Sequence, residues 1–341
     1  MREEVSTNLE LEELSREESQ IFEISSSPHM HSDDSISKIM WTVVLTLMPA
    51  TIFGVCHFGL TALKILLLGA LSAVLFEAAI QKLVKKTITV ADGSAFLTGL
   101  LLAMCLPPKV PFFLPIVGSF VAIVIAKHSM GGLGYNIFNP AHIGRAVLLL
   151  SWPVAMTTWT TMDIRVDTIS SATPLNILKQ QGYPHLIELF GSRANMYTDM
   201  FLGFRNGCIG ETSVILLLFG GTVLIYKKYI DWVVPVVMIA TVGILTGIFG
   251  SGGVLSGDPV FHMMAGGLII GAFFMATDMV TTPITRGGRI IFALGAGIIT
   301  VLIRLLGGYP EGICYAILLM NSVTPLIDKL LPVTKEILHA K

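Results

Sequence analysis

Apolar runs separated by short polar gaps set the frame for this chain. They lie at 39–58, 60–81, 94–106, 111–127 and 139–152, and again at 210–226, 231–250, 260–278, 289–306 and 311–330. A helix needs about 20 apolar residues to cross the hydrocarbon of a bilayer. The pattern therefore predicts an all-α polytopic membrane protein with ten spans. Only 13% of the residues are charged and the mean hydropathy is +0.76, whereas a soluble domain carries about 25% charged residues. The runs at 94–106 and 139–152 are short, and Gly and Pro flank them. Broken or re-entrant segments are expected there, because such backbone is tolerated in a membrane where protein or water covers it.

Charge divides the chain and orients it. Residues 1–24 hold eight Glu and two Arg, whereas the remainder carries a net positive charge. The first 36 residues read as an acidic, solvated cytoplasmic tail, not a signal peptide. Lys82, Lys85, Lys86, Lys127, Lys227, Lys228, Arg286, Arg289, Lys335 and Lys341 follow the even-numbered spans. The positive-inside rule then puts both termini in the cytoplasm and the 153–209 loop outside. Five spans on each side of that loop (37–152 and 210–331, with a tail at 332–341) give the arithmetic of two inverted repeats. Asp92 and Asp258, each just before the third span of its half, supply a weak internal echo. No basic stripe suggests nucleic acid.

The residues that interrupt the apolar text carry most of the chemistry. Cys56, Cys105, Cys208 and Cys314 are widely spaced, so they read as packing residues with no metal motif. His29 and His31 lack a third ligand nearby. The stretch Gly131–Ala141 lacks the spacing of a dinucleotide or Walker loop. It reads as a re-entrant turn before Pro140, with Asn136 and Asn139 able to satisfy open carbonyls or a ring edge. Asp167, Ser170, Ser171, Ala172 and Thr173 precede Pro174 in the long loop, a helix start with Ser or Thr as cap and Pro in the first turn. Glu77 and Asp278 are the acids placed in or near spans, and they are candidates for an ion path. Lys64, Arg145 and Arg304 read as snorkelling side chains.

Taken in order, Ser27–His31, Ser37–Trp41, Thr89–Ser94, Gly131–Ala141, Ser170–Leu175, Ala276–Asp278 and Gly307–Gly312 resemble the D subunits of Rnf-type ion-translocating ferredoxin:NAD oxidoreductase complexes. The resemblance covers about residues 25–332. It implies FMN joined through its phosphate to Thr173, with Asp167 and Ser170 to Ala172 as the attachment motif. Ser171 stands where many relatives have Gly. The resemblance also implies a flavin transferase for maturation and admits a second, non-covalent flavin, riboflavin, within the spans. Further implied are iron–sulfur and flavin subunits as partners, coupling of electron flow to Na⁺ or H⁺ movement, and a bacterial or archaeal cytoplasmic (inner) membrane. The rival readings are a passive solute channel or secondary transporter of inverted-repeat fold, and a scaffold subunit.

Overall fold

The computed structural model describes residues 34–159, 173–250, 253–254, 257–309 and 311–331. The acidic tail, His29, His31, Asp167, Ser170, Ser171 and Ala172 lie outside them.

The first apolar runs become α1 (Ile36–Phe58) and α2 (Leu60–Leu83). Their 23 and 24 residues reach about 35 Å at 1.5 Å per residue, enough to cross hydrocarbon. A single-turn 3₁₀ segment (Val90–Asp92) leads into α3 (Ser94–Met104). The Asp92 carboxylate accepts the backbone N–H and the hydroxyl of Ser94 at 2.8 and 2.7 Å, which fixes that start. Then follow α4 (Phe113–Phe120), prolonged by a π-helical segment Val121–His128, and α5 (Pro140–Ser151). The long loop carries α6 (Pro153–Thr157), α7 (Pro174–Phe190) and α8 (Arg193–Leu202). The second set is α9 (Val214–Tyr226), α10 (Val233–Ile248), α11 (Pro259–Met264), α12 (Leu268–Ile270) continued by a π-segment Gly271–Met275, α13 (Arg286–Leu306) and α14 (Ile313–Leu330). A two-residue antiparallel pair, β1 (Phe249–Gly250) with β2 (Gly253–Val254), follows α10.

α1, α2, α13 and α14 are long and apolar enough to cross a membrane, and α3, α4 with its π-segment, α9 and α10 are shorter apolar helices. The chain is an all-α multi-pass membrane protein. The run at 260–278 is not one helix. It breaks at Gly266 and Gly267, whose φ angles of +65° and +66° no continuous helix accepts. The sequence expectation put broken segments near 94–106 and 139–152; the sharpest break inside an apolar run is here instead.

Helix contact relies on small residues, as expected where lipid is as apolar as the core. At the α2–α3 crossing, a methyl group on Gly99 would lie 2.3 Å from the Gly69 carbonyl oxygen. α1 also packs on α9, and α5 on α14. One buried apolar cluster runs through both halves, from Leu47 and Leu102 to Phe292 and Ile317.

Gly99→Leu is expected to lower stability by about 1–3 kcal/mol or more through overpacking. Gly308→Ala, where an added methyl meets nothing within 4 Å, should stay within about 0.5 kcal/mol. Thermal unfolding of the two variants in detergent checks the contrast.

Candidate functional site

The polar residues inside the bundle gather at two ends. At one end, the π-segment after α4 turns Lys127 inward, where its side chain is 2% exposed. Lys127 Nζ donates to both carboxylate oxygens of Glu77, at 2.8 and 2.9 Å, and to Ser94 Oγ at 2.7 Å. Gln81 Nε2 adds a bond of 3.2 Å to Glu77 Oε1. All three ammonium protons are thus used, which a buried cation requires. Glu77 therefore sits in a closed ion pair and not alone in a span.

Beside this pair lies a cleft of roughly 90 Å³, partly open to its surroundings. Lys127, Asn136, Asn139, Thr98, Phe274 and Asp278 are among the residues that line it. The turn before α5 builds one wall. Gly131, Gly132 and Gly134 all adopt positive φ. Asn139 caps α5 by accepting the N–H of Ala141 at 3.0 Å, with Pro140 in the first turn. Its Nδ2 donates to the Met275 carbonyl at 3.2 Å, on the π-segment of the other half. Asn136 Oδ1 is buried without a partner among the described residues. A second, wider cavity of roughly 590 Å³ is lined by Lys228, Asp231, Trp232 and Arg289. Asp278 lines both cavities, so it stands at their shared wall. Asp231, in the loop between α9 and α10, is held below the usual carboxylate range: burial opposes this, but the Val233 N–H and the Arg289 guanidinium outweigh it.

The opposite end carries Thr173. It is the N-cap of α7, its Oγ1 accepts the Asn176 N–H at 3.3 Å, and Pro174 takes the first helical position. The side chain is buried, next to residues 160–172, which lie outside the described residues. Leu175, Ile177, Leu186, Met196 and Met200 of α7 and α8 pack on Phe261 and Ala265 around α11. The same hairpin is pinned by Asp258, the N-cap of α11. Asp258 Oδ2 accepts the Tyr197 hydroxyl at 2.6 Å and the Tyr183 hydroxyl, with Arg193 3.4 Å away. Burial raises the Asp258 pKa, but these donors and the Phe261 N–H more than offset it and hold the carboxyl below its usual range. Burial and the bond to Asp258 push the Tyr183 hydroxyl well up.

Arg145 and Arg304 do not snorkel. Arg304 is 4% exposed and donates to the carbonyls of His262, Ala265 and Glu311 at 2.6, 2.8 and 3.2 Å. It thereby satisfies carbonyls freed by the break at Gly266–Gly267. Arg145 is 5% exposed and pairs with Glu311. Cys105, Cys208 and Cys314, far apart in sequence, converge on it, and Arg145 Nη2 lies 3.7 Å from Cys208 Sγ. Glu211, in a 3₁₀ turn (Ile209–Glu211), joins Cys208 and Glu311 there. Sequence reasoning missed Glu211 and Glu311, since both sit in Gly-containing turns. A buried arginine needing a counter-charge was the available signal.

Lys127→Met should destabilise by about 3–5 kcal/mol, because it leaves Glu77 buried and unpaired. Adding Glu77→Gln should recover most of that loss, as a double-mutant cycle on thermal unfolding would register. Asp258→Asn should cost about 2 kcal/mol of hairpin docking. A carboxyl with a depressed folded-state pKa stabilises above its unfolded pKa, and that gain is lost as pH falls through the folded value. Hydrogen-exchange protection in α7–α8, taken relative to the intrinsic rate at each pH, should therefore fall only below the usual carboxylate range in the native chain, and be reduced at every higher pH in the variant.

The family model described as NQR2, RnfD, RnfE matches residues 23–335. The chain is 66% identical over 311 residues to the D subunit of the proton-translocating ferredoxin:NAD(+) oxidoreductase complex of Clostridium ljungdahlii, covering 91% of this chain and 94% of the relative. It is 45% identical over 316 residues to the D subunit of the Na(+)-translocating ferredoxin:NAD(+) oxidoreductase complex of Acetobacterium woodii, covering 92% and 93%. It is 36% identical over 346 residues to the D subunit of an ion-translocating oxidoreductase complex of Escherichia coli, covering 90% and 96%. With a family model spanning most of its length and relatives this similar over nearly their whole chains, the protein belongs to the NQR2, RnfD and RnfE family.

Proposed function

We propose that the chain is the membrane electron-transfer subunit of an ion-translocating ferredoxin:NAD⁺ oxidoreductase complex, carrying FMN esterified to Thr173. The names of its relatives support the complex. The observation that carries the flavin is the place of Thr173: the last residue of Ser170–Thr173 caps α7 with its hydroxyl toward the Asn176 N–H. A helix start favours a phosphate, because free N–H groups and the helix dipole meet it there. The donor set thus fits a phosphoester. Bound there, the flavin would supply the redox chemistry. The chain's own residues do the rest. Asp167 and Ser170 to Ala172 form the attachment motif for a flavin transferase, and the Asp258 clamp sets where α7 stands on the bundle.

The cleft beside Asn136 and Asn139 is the place for a non-covalent riboflavin. It offers apolar walls from Phe274 and Leu101, and an unpartnered amide oxygen at Asn136. Asp278 and the Glu77–Lys127 pair form the ion path next to that cleft, and Asp278 faces the wide cavity from which a hydrated ion enters. The charge pattern supports cytoplasmic termini and an external Thr173 loop. The pairing of α1 with α9 and of α5 with α14, first span with first and last with last, supports two inverted five-span repeats, 37–152 and 210–331, separated by the 153–209 loop. Iron–sulfur and flavin subunits of the complex hand electrons to and from this chain. A secondary transporter also fits inverted repeats around a cleft, and a covalent flavin separates the two readings.

Thr173→Ala, expressed with a flavin transferase, should insert normally and lose all covalent flavin. Intact mass and the fluorescence of the denatured band measure this. Unchanged fluorescence in the variant would refute the attachment, and no adduct on the native chain would favour the transporter.

A further inference from the structure

The polar cluster around Arg145 is not used by the attachment of flavin to Thr173, and its geometry suggests a task. Cys208, Glu211 and Glu311 offer ligand atoms that lie within 4.8 Å of one another. Glu311 is engaged by Arg145. Glu211 is engaged differently. Arg205 Nη2 donates to its backbone carbonyl at 2.6 Å and not to its carboxylate, where the Cys208 thiol is the side-chain partner. Glu211 is 5% exposed, and its Oε1 has no hydrogen-bond partner among the described residues. That oxygen lies against Gly267, where a methyl group would meet it at 2.6 Å. It therefore touches the backbone break between α11 and α12. Next to it along the chain, the buried hydroxyls of Thr212 and Ser213 are also unpartnered, as is Arg145 Nε.

We propose that Glu211 is a proton-binding carboxyl at the Thr173 end of the bundle, the outer exchange site of the ion path. The proposal rests on the ion-path reading above. Arg145 donates to Glu311, whereas Glu211 Oε1 accepts from no donor among the described residues, so the oxygen open to an exchangeable proton is on Glu211. The groups facing it are Arg145 from α5, Glu311 before α14, Arg304 from α13, Cys105 at the end of α3, and Arg205 and Cys208 from its own loop. Three guanidiniums stand against two carboxylates. A hard metal ion would meet net positive charge and would lack the roughly six oxygen ligands it takes. A proton needs one free oxygen lone pair, and Oε1 has it. The step is a single proton transfer. An O–H bond forms on Oε1 and removes one negative charge; it breaks on release to water, and no electron moves. Contact with Gly267 gives the two charge states different neighbours at the hinge of the eighth run, which is what a ligand needs to bias two conformations.

The test is infrared difference spectroscopy of the full-length chain in nanodiscs, between acidic and alkaline pH, in H₂O and D₂O. The native chain should show a deuterium-sensitive carbonyl band from a protonated carboxyl. The band should vanish in Glu211→Gln and shift in Glu211→Asp, with Thr173-linked flavin content confirming that each variant has folded. Persistence of the band in Glu211→Gln overturns the proposal. In the reconstituted complex, Glu211→Gln should lose proton movement per NAD⁺ reduced; an unchanged ratio also overturns it. The ion-path reading fails on a separate result, an unchanged ratio in Glu77→Gln and in Asp278→Asn.

Discussion

Two buried cations hold the third segment of each half in place, a short helix in the first and a broken one in the second. Lys127 comes from the end of the fourth helix in the first half, and Arg304 from the end of the fourth helix in the second. Each turns inward at the start of a segment that a membrane would otherwise reject. Lys127 fixes Ser94 and Glu77, and Arg304 fixes the carbonyls left open at Gly266–Gly267. Hydrocarbon offers no water to do this, so polar backbone there survives only with internal partners. Once these cations are seated, the helices around them have little freedom to rearrange.

The same logic ties the external hairpin to the bundle. The buried apolar residues of α7 and α8 lie on Phe261 and Ala265, while Leu189, Phe201 and Leu202 stay exposed. Directionality comes from Asp258, whose carboxylate both starts α11 and receives the hydroxyls of Tyr183 and Tyr197. Leu175, two residues beyond Thr173, reaches Gly266 at the break. The residue proposed to bear flavin, the hinge in the eighth run and the buried Arg304 therefore form one contiguous set of contacts. A shift at the start of α7 cannot be absorbed locally, because Leu175 already rests on the backbone that Arg304 supports.

Much of this was legible in the text of the chain. The apolar runs gave the order of the apolar helices, since hydrophobic length is a one-dimensional property, though the eighth run is split into α11 and α12. Thr173-Pro174 announced a helix start, because capping is local chemistry, whereas the cap role of Asn139 appears only in the structure. The failures were all non-local. Arg145 and Arg304 read as surface cations, for nothing beside them in sequence can neutralise a charge; Glu311 is 166 residues from its partner. Three cysteines that spacing kept apart meet at one guanidinium. Gly266-Gly267 sits inside an apolar run whose hydropathy outvotes it, so the break stayed hidden. Asp278 was singled out for its depth, but its place between two cavities required the packing of α9 and the turn before α5.

The π-segments have a consequence for how such a chain can diverge. A helix that closes on the fifth residue back, as Ser129 does on Val124 and Ala276 on Gly271, holds one residue more than a regular turn. Losing a single residue from Val121–Ala126 would return the segment to regular winding and leave the residues after it facing much as before. In a regular helix the same one-codon deletion rotates everything beyond it by about 100°. The wide turn takes up that difference, so the chain can shorten by one residue here and still hold Lys127 against Glu77.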